Sequence, residues 1–528
     1  MKNSETHVTK SSSCGPPTTW TVGWGFSSRC DLNCPFCYSA LSRSQVGHPE
    51  IDLKTANRFL KRNVNSIGSI NFGTGESFLS QRFPGLLYLC KTYLPSVTIA
   101  VTTNGALADT LKNQKNATIF ASMIDELDVS IDFATPSRHD EWRGKSGTWL
   151  RAISSVEFGI LHGIPTTIVV VGTPETLEAD NLIALLILAA EMGVALRVNI
   201  FMPTTGDLSY LPDSNQVFDA LRLLAQGGNS VRSSDRLLGA LTGTFKPGKR
   251  FSSYRSCRIL PDGRISPSTY LLQTPWVTRM DISDLLLEEL EHEASFQLMA
   301  SSVLPEACSE CFVQDICQGG SVERRWLING SLHQKDPLCP GPVLDSTSNP
   351  PNLLEKHQDS GQRDGPEVHL DYLPTVLVIP AQRRRPEIVH CVKAIVQSSG
   401  KFLLLWRSRQ ADGKLKEPDL PGGRIRPGET PETALERELF EEIGLASNYH
   451  IAGHIADWMY RSSGRLRFGS TYLVNSSNTY FELSEEHVEA CWVTPASMES
   501  ILQETDWDTQ IVSRYLRQVA AGVPKSAI

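Results

Sequence analysis

From Trp20 onward, short β-branched runs alternate with longer stretches of helical character. "TWTVGWGFS", "SINFGTG", "VTIAVTTNG", "LDVSIDF", "TTIVVVG" and "LRVNIFMP" each read as a strand. Between them, "TANRFLKRNV", "GLLYLCKTYL", "LRAISSVEFGILHG" and "EADNLIALLILAAEMG" read as helices. Six β/α repeats of this kind predict an α/β protein with a parallel sheet, open or curved into a partial (β/α)6 barrel over residues 19–215. In such sheets the reacting groups gather at the C-terminal strand ends. Residues 216–255 read as a helical connector and 256–340 as a small cysteine-containing unit. Residues 341–385 turn rich in Pro, Ser, Asp and Gly and read as a linker. Beyond them, "EIVHCVKAIVQSSGKFLLLWRSR" reads as a strand hairpin that opens a separate domain, 386–524.

Charge and composition remove several classes of function. A net charge of −8 gives no electrostatic reason to expect nucleic acid. No apolar run reaches the ~18 residues a membrane span needs. The first 18 residues are polar, lack an apolar signal core and read as a disordered tail. The expectation is a cytoplasmic protein, where 12 cysteines call for an explanation other than disulfides. Seven of them fall into two groups: Cys30, Cys34 and Cys37, then Cys308, Cys311, Cys317 and Cys339.

"SSRCDLNCPFCYSAL" follows the first strand, at the end where chemistry is expected. Three thiolates can hold three irons of a 4Fe–4S cluster and leave the fourth iron open. Zinc is the competing reading, although structural zinc sites complete four protein ligands. C-x3-C-x2-C followed by Tyr38 resembles the radical S-adenosylmethionine (radical SAM) superfamily. The resemblance implies that S-adenosyl-L-methionine chelates the open iron and is cleaved reductively to a hydrogen-abstracting 5′-deoxyadenosyl radical. "FGTGES" resembles the family's Gly-Gly-Glu-Pro segment, with Thr74 and Ser77 as departures, and implies that Glu76 accepts from the cofactor ammonium. "TTNG" ends the third strand as in relatives, where polar side chains such as Asn104 face the cofactor. In "SIDFATPSRHDEWRG", Ser130 and Arg143 match positions that hold the cofactor carboxylate, a task that suits a planar guanidinium. Asp132 is a candidate to face substrate.

"CSECFVQDIC" and "DPLC" supply four soft ligands that suit zinc or an iron–sulfur cluster. Behind a radical SAM barrel the pattern resembles the SPASM or twitch extension, which carries auxiliary 4Fe–4S clusters. Cys257 is present, but Ser268 and Ser321 stand where relatives have cysteine. The departure implies one auxiliary cluster, held by Cys308, Cys311, Cys317 and Cys339, with an electron-transfer or a structural role.

"GGRIRPGETPETALERELFEEIGL" carries G-x5-E-x7-R-E-U-x-E-E-x-G-U, with U apolar, from Gly423 to Leu445. Thr430, Pro431 and Gly444 read as the N-cap, first turn and stop of a helix. Glu438, Glu441 and Glu442 then share one helix face, where they repel one another unless a divalent cation such as Mg²⁺ or Mn²⁺ sits among them. The segment resembles the Nudix hydrolases, which implies an α/β/α domain that cleaves nucleoside diphosphate derivatives with these glutamates as catalytic metal ligands. It further implies that Glu429 pairs with Arg437, that the Gly422 carbonyl can ligate, and that Glu489 is a further base or ligand.

Together these readings imply a bifunctional enzyme: a radical SAM partial barrel, a small twitch-like iron–sulfur extension and a Nudix domain. The expected substrate is a small molecule, nucleotide-linked or sugar-like, with a reductant such as flavodoxin or ferredoxin as partner. Peptide modification is the alternative, disfavoured because the barrel starts near Thr19 and leaves no room for an N-terminal peptide-recognition domain. A further alternative makes the Nudix domain a nucleotide-binding or regulatory module.

Overall fold

The computed structural model describes residues 19–43, 49–110, 114–241, 254–278, 280–301, 303–341, 375–381, 387–407, 418–426, 429–462, 465–484, 486–494 and 497. The expected tail, 1–18, and most of the expected linker lie outside the described residues. The chain divides into two compact units, each built on its own sheet.

In the first unit the six strands expected from the pattern form as β1 (Trp20–Trp24), β2 (Ile67–Phe72), β3 (Thr98–Thr103), β4 (Glu126–Ser130), β5 (Thr166–Gly172) and β6 (Ala195–Ile200). Each pairs in parallel with the next. Neighbouring strands that are consecutive in sequence and parallel require a crossover between every pair, and the intervening helices supply it. Trp20, Val22 and Trp24 alternate inward along β1 and are wholly buried, so this strand anchors the core beneath the loop that leaves its C-terminal end. Four further strands complete a ten-stranded sheet: β7 (Ser230–Ser233), β8 (Ser256–Ile259), β9 (Ile265–Ser266) and β10 (Thr375–Ile379). β8 adds in parallel to the free edge of β1 and turns back through β9.

Two expectations are corrected here. Residues 216–255 are not wholly helical, because β7 forms between the helices Ser214–Leu224 and Arg236–Leu241. Residues 375–379, expected to be linker, form β10, antiparallel to both β6 and β7. "TVLVI" is apolar and β-branched, and pairing on both sides satisfies its backbone while burying Val376, Leu377 and Val378.

The second unit holds a six-stranded sheet of β11 (Glu387–Ser398), β12 (Lys401–Arg407), β13 (Pro418–Asp419), β14 (Tyr449–Ser462), β15 (Arg465–Ser476) and β16 (His487–Val493). β11 runs parallel to β15 and antiparallel to β12, which in turn pairs with β16. The helix Pro431–Ile443 lays Ala434, Leu435, Leu439 and Ile443 against Val392, Leu403 and Val474 of this sheet. The Thr430 hydroxyl accepts from the Thr433 amide at 3.2 Å. At the other end Gly444, at φ 66°, closes the helix with its amide on the Phe440 carbonyl.

Candidate functional site

The three-cysteine loop leaves β1 at its C-terminal end. Cys34 is buried, and Cys30 and Cys37 are half-buried. Asn104, just past β3, donates from Nδ2 to Cys30 Sγ at 3.6 Å and to Asp31 Oδ1 at 3.0 Å. Arg151 holds the other Asp31 oxygen at 2.9 Å. The Ser39 hydroxyl lies 3.1 Å from Cys37 Sγ. Hydrogen bonds onto sulfur tune an iron-bound thiolate, so the loop suits a soft metal cluster.

The loop after β2 docks directly on this one. The Glu76 amide donates to the Arg29 carbonyl at 2.7 Å, and the Tyr38 hydroxyl donates to the Gly73 carbonyl. Gly75, at φ 63°, permits the approach: a Cβ there would meet Arg29 O at 2.5 Å and Ser27 O at 2.7 Å.

Glu76 sits beneath the thiol loop, past the end of β2. It is 0% exposed, and its carboxylate takes hydrogen bonds from the Asn104 amide (2.7 Å), the Thr103 hydroxyl (3.0 Å) and the Phe78 amide (3.3 Å). Burial pushes its pKa up to about 7. These bonds tie the end of β2 to the end of β3. Asp132 is likewise wholly buried and accepts from the Val171 amide at 3.0 Å, bracing β5. Ser130 ends β4, half-buried. Arg143 is the buried last residue of the helix Pro136–Arg143.

In the extension, a tight turn carries the Cys311 amide onto the Cys308 carbonyl at 3.1 Å. Burial, then the neighbouring Cys339 and Cys311, pushes the Cys308 thiol up. Burial, then Asp336 and Cys339, pushes Cys317 up to about 12. The four thiols thus lie within electrostatic reach of one another, and a cationic centre among them would relieve their mutual repulsion. Among the described residues no group of three or more His, Cys, Asp or Glu side chains is drawn in so as to hold a metal ion. A four-iron cube needs a wider cradle than a single ion, and the soft donor set suits it.

The positions where the SPASM resemblance leads one to expect further cysteines are filled differently. Ser268 donates to Glu323 Oε1 at 3.0 Å, and Ser321 donates to Glu323 Oε2 at 2.9 Å. Glu323 is 4% exposed, so a buried carboxylate bridges the two serines. Burial pushes the Cys257 thiol up to about 12, which keeps it protonated. This set is a hydrogen-bonded brace and does not suit iron. The sequence marked both serines but gave no signal for Glu323.

In the second unit Arg437 organises the glutamates. It donates to both oxygens of Glu429 (2.6 and 2.8 Å), to Glu438 (2.6 Å), to Glu441 (3.1 Å) and to the Arg424 carbonyl (2.8 Å). This holds Glu429 down at about 2. Arg426, which sequence reasoning did not single out, donates to both Glu441 oxygens at 3.1 and 3.2 Å. Glu442 points inward, 5% exposed, and accepts from the Gly422 amide at 2.8 Å. Gly423 lies so close to Glu438 that a Cβ would stand 2.6 Å from its carboxylate. These carboxylates are hard oxygen donors of the kind Mg²⁺ or Mn²⁺ takes, held here by Arg437, Arg426 and the Gly422 amide and, among the described residues, not drawn around a common point. Glu489 is exposed on β16, in register with Trp406. Among the described residues none of the hydrogen bonds that tie the helix glutamates reaches it.

Residues 24–186 match the Radical SAM superfamily and residues 385–515 match the NUDIX domain. The subtilosin biosynthesis protein AlbA of Bacillus subtilis is 27% identical over 165 residues, which cover 30% of this chain and 34% of that protein, about a third of its length. The CTP pyrophosphohydrolase of Escherichia coli is 28% identical over 109 residues, 21% of this chain and 78% of that protein. Among solved structures, native anSMEcpe with bound AdoMet superposes with a TM-score of 0.50 at 18% identity, covering 60% of this chain and 93% of that one, a likeness of fold. No helix among the described residues is long and apolar enough to cross a membrane. The thiol loop at the end of β1 and the arginine-braced glutamates thus belong to two families joined in one polypeptide: the chain carries a radical SAM domain and a NUDIX domain.

Proposed function

We propose that the chain is a bifunctional cytoplasmic enzyme. Its barrel abstracts hydrogen from a small-molecule, nucleotide-linked biosynthetic intermediate and oxidises or rearranges it, and its NUDIX domain hydrolyses a diphosphate of the same pathway. Cys30, Cys34 and Cys37 would hold a 4Fe–4S cluster that works with S-adenosyl-L-methionine. When bound, the cluster supplies the single electron that opens the cofactor sulfonium. The chain's part is to hold the loop still: Asn104 steadies Cys30, Arg151 steadies Asp31, and Glu76 fixes the strand end from which Asn104 projects. Ser130 and Arg143 receive the cofactor carboxylate. Cys308, Cys311, Cys317 and Cys339 would hold a second 4Fe–4S cluster, which would supply an electron acceptor beside the barrel, with flavodoxin or ferredoxin as the expected reductant. Glu438, Glu441 and Glu442 hold the divalent ion, which polarises the diphosphate.

The observation that carries this reading is the complete, arginine-braced glutamate set in the same chain as a thiol loop whose sulfurs receive hydrogen bonds. Alanine at Cys30, Cys34 and Cys37 together removes roughly half the iron of anaerobically reconstituted protein, as expected for two equal clusters. Unchanged iron defeats the assignment. Diphosphate hydrolysis that survives Glu441→Ala and Glu442→Ala defeats the metal-binding role of those carboxylates.

Peptide modification is the second reading, favoured by the similarity to a protein named for bacteriocin biosynthesis. Deuterated nucleotide-sugar and peptide panels separate the two. Label entering 5′-deoxyadenosine from the nucleotide panel is expected, and label from peptides alone would transfer the proposal to the second reading.

A further inference from the structure

Within the first unit a cavity opens between β1, β2 and the β8–β9 hairpin. It is partly open to solvent, and its wall includes Thr21, Asn71, Tyr254, Arg258, Ser268 and Thr269. Arg258 lies on β8 in register with Gly23 of β1 and is 3% exposed. Its Nη2 donates to the hydroxyls of Thr74 and Tyr38, both neutral, since burial raises the Tyr38 phenol. Its Nε and Nη1 make no hydrogen bond to the described residues, and no carboxylate pairs with it there. The cavity wall carries no Asp or Glu among the described residues.

A guanidinium almost withdrawn from water and met only by neutral groups is costly unless an anion joins it. Two other buried arginines of the unit show the contrast, Arg197 paired with Asp128 and Arg324 with Asp235 and Asp336, whereas Arg325 meets the Val303 and Leu332 carbonyls. Room for the guanidinium is built in. A Cβ at Gly23 would stand 2.9 Å from Arg258 Nη1 and 3.1 Å from its Cδ. Location matters as much as charge. Tyr38 directly follows Cys37, and Thr74 lies in the loop that docks on the cysteine loop, so Arg258 touches both segments expected to border the cofactor. Ser268, tied up by Glu323, closes the far wall without iron.

We propose that this cavity is an anion-binding subsite in which Arg258 receives a phosphate or carboxylate of the molecule on which the barrel acts. The assignment of that anion to the substrate rests on the hydrogen-abstraction reading above. The free N–H groups of Arg258 offer the paired donor geometry that both anions accept.

The test uses the full chain, reconstituted anaerobically, in a Glu441→Gln background without added Mg²⁺ so that the NUDIX glutamates do not contribute. Inorganic phosphate and acetate are titrated separately by calorimetry. One of them is expected to bind at a single site, with affinity reduced about ten-fold or more in Arg258→Met. Gly23→Ala keeps the charge and displaces the guanidinium, and a loss of similar size is expected there. Preference for phosphate identifies a phosphoryl group, and preference for acetate identifies a carboxylate. Equal affinity in all three proteins, or no binding of either anion, overturns the subsite. So does a loss confined to S-adenosyl-L-methionine affinity, which would make Arg258 a cofactor contact. Release of 5′-deoxyadenosine from the unsubstituted protein under reduction is measured separately: its absence defeats the proposed reaction while the anion titration still decides the subsite.

Discussion

Arg437 serves four acceptors, and Glu429 takes two of its N–H groups on a carboxylate only 20% exposed. Because Arg437 depresses the Glu429 pKa to about 2, the pair stabilises the fold above the unfolded value of 4.5, and that contribution is lost as pH falls through about 2. Glu429→Gln should therefore lower stability by about 1 kcal/mol near neutral pH. The gap between variant and parent should close as pH drops from 4.5 toward 2, which denaturant titration across that range checks. At Gly423, substitution by Ala would drive a methyl group into Glu438, so hydrolysis should fall about ten-fold or more while the melting temperature moves little; Mg²⁺-dependent assays check it. These residues were legible in the sequence because one short loop and the helix after it set their spacing. Arg258 and Glu323 were not. Each acquires its meaning from partners far away in sequence, and no local pattern distinguishes a buried Arg or Glu from an exposed one.

At the scale of elements, the brace Ser268–Glu323–Ser321 joins the β9 turn to the helix Val322–Asn329 where the SPASM resemblance leads one to expect iron and sulfur. Replacing both serines by alanine strips a buried carboxylate of its hydroxyl donors, whereas Glu323→Gln keeps an acceptor and removes the charge. The double variant should lose about 2 kcal/mol or more, and Glu323→Gln less, as read from unfolding midpoints. The reverse order would show that the carboxylate is held by other groups. The six β/α repeats and the capped NUDIX helix could be read in advance because periodicity and cap residues are local. β10 could not: a threonine and four apolar residues among prolines and arginines become a strand only when β6 and β7 offer their edges.

For the whole molecule, Arg324 is the deepest tie. It is wholly buried and donates to Asp235, ahead of the helix Arg236–Leu241, and to Asp336 of the cysteine-bearing extension. Arg324→Leu leaves two carboxylates buried without their cation, so stability should drop by about 3–5 kcal/mol. The auxiliary cysteines should lose their geometry with it, and iron retained after gel filtration should fall toward roughly half if two equal clusters are present.

β10 has a consequence for how the polypeptide holds together. A protease that cut the backbone anywhere between 342 and 374 would break covalent continuity without freeing the C-terminal piece, because Val376–Val378 would remain laced between two strands of the N-terminal piece. The two pieces of such a nicked chain would travel together through a column until a denaturant unfolded the sheet that β10 completes.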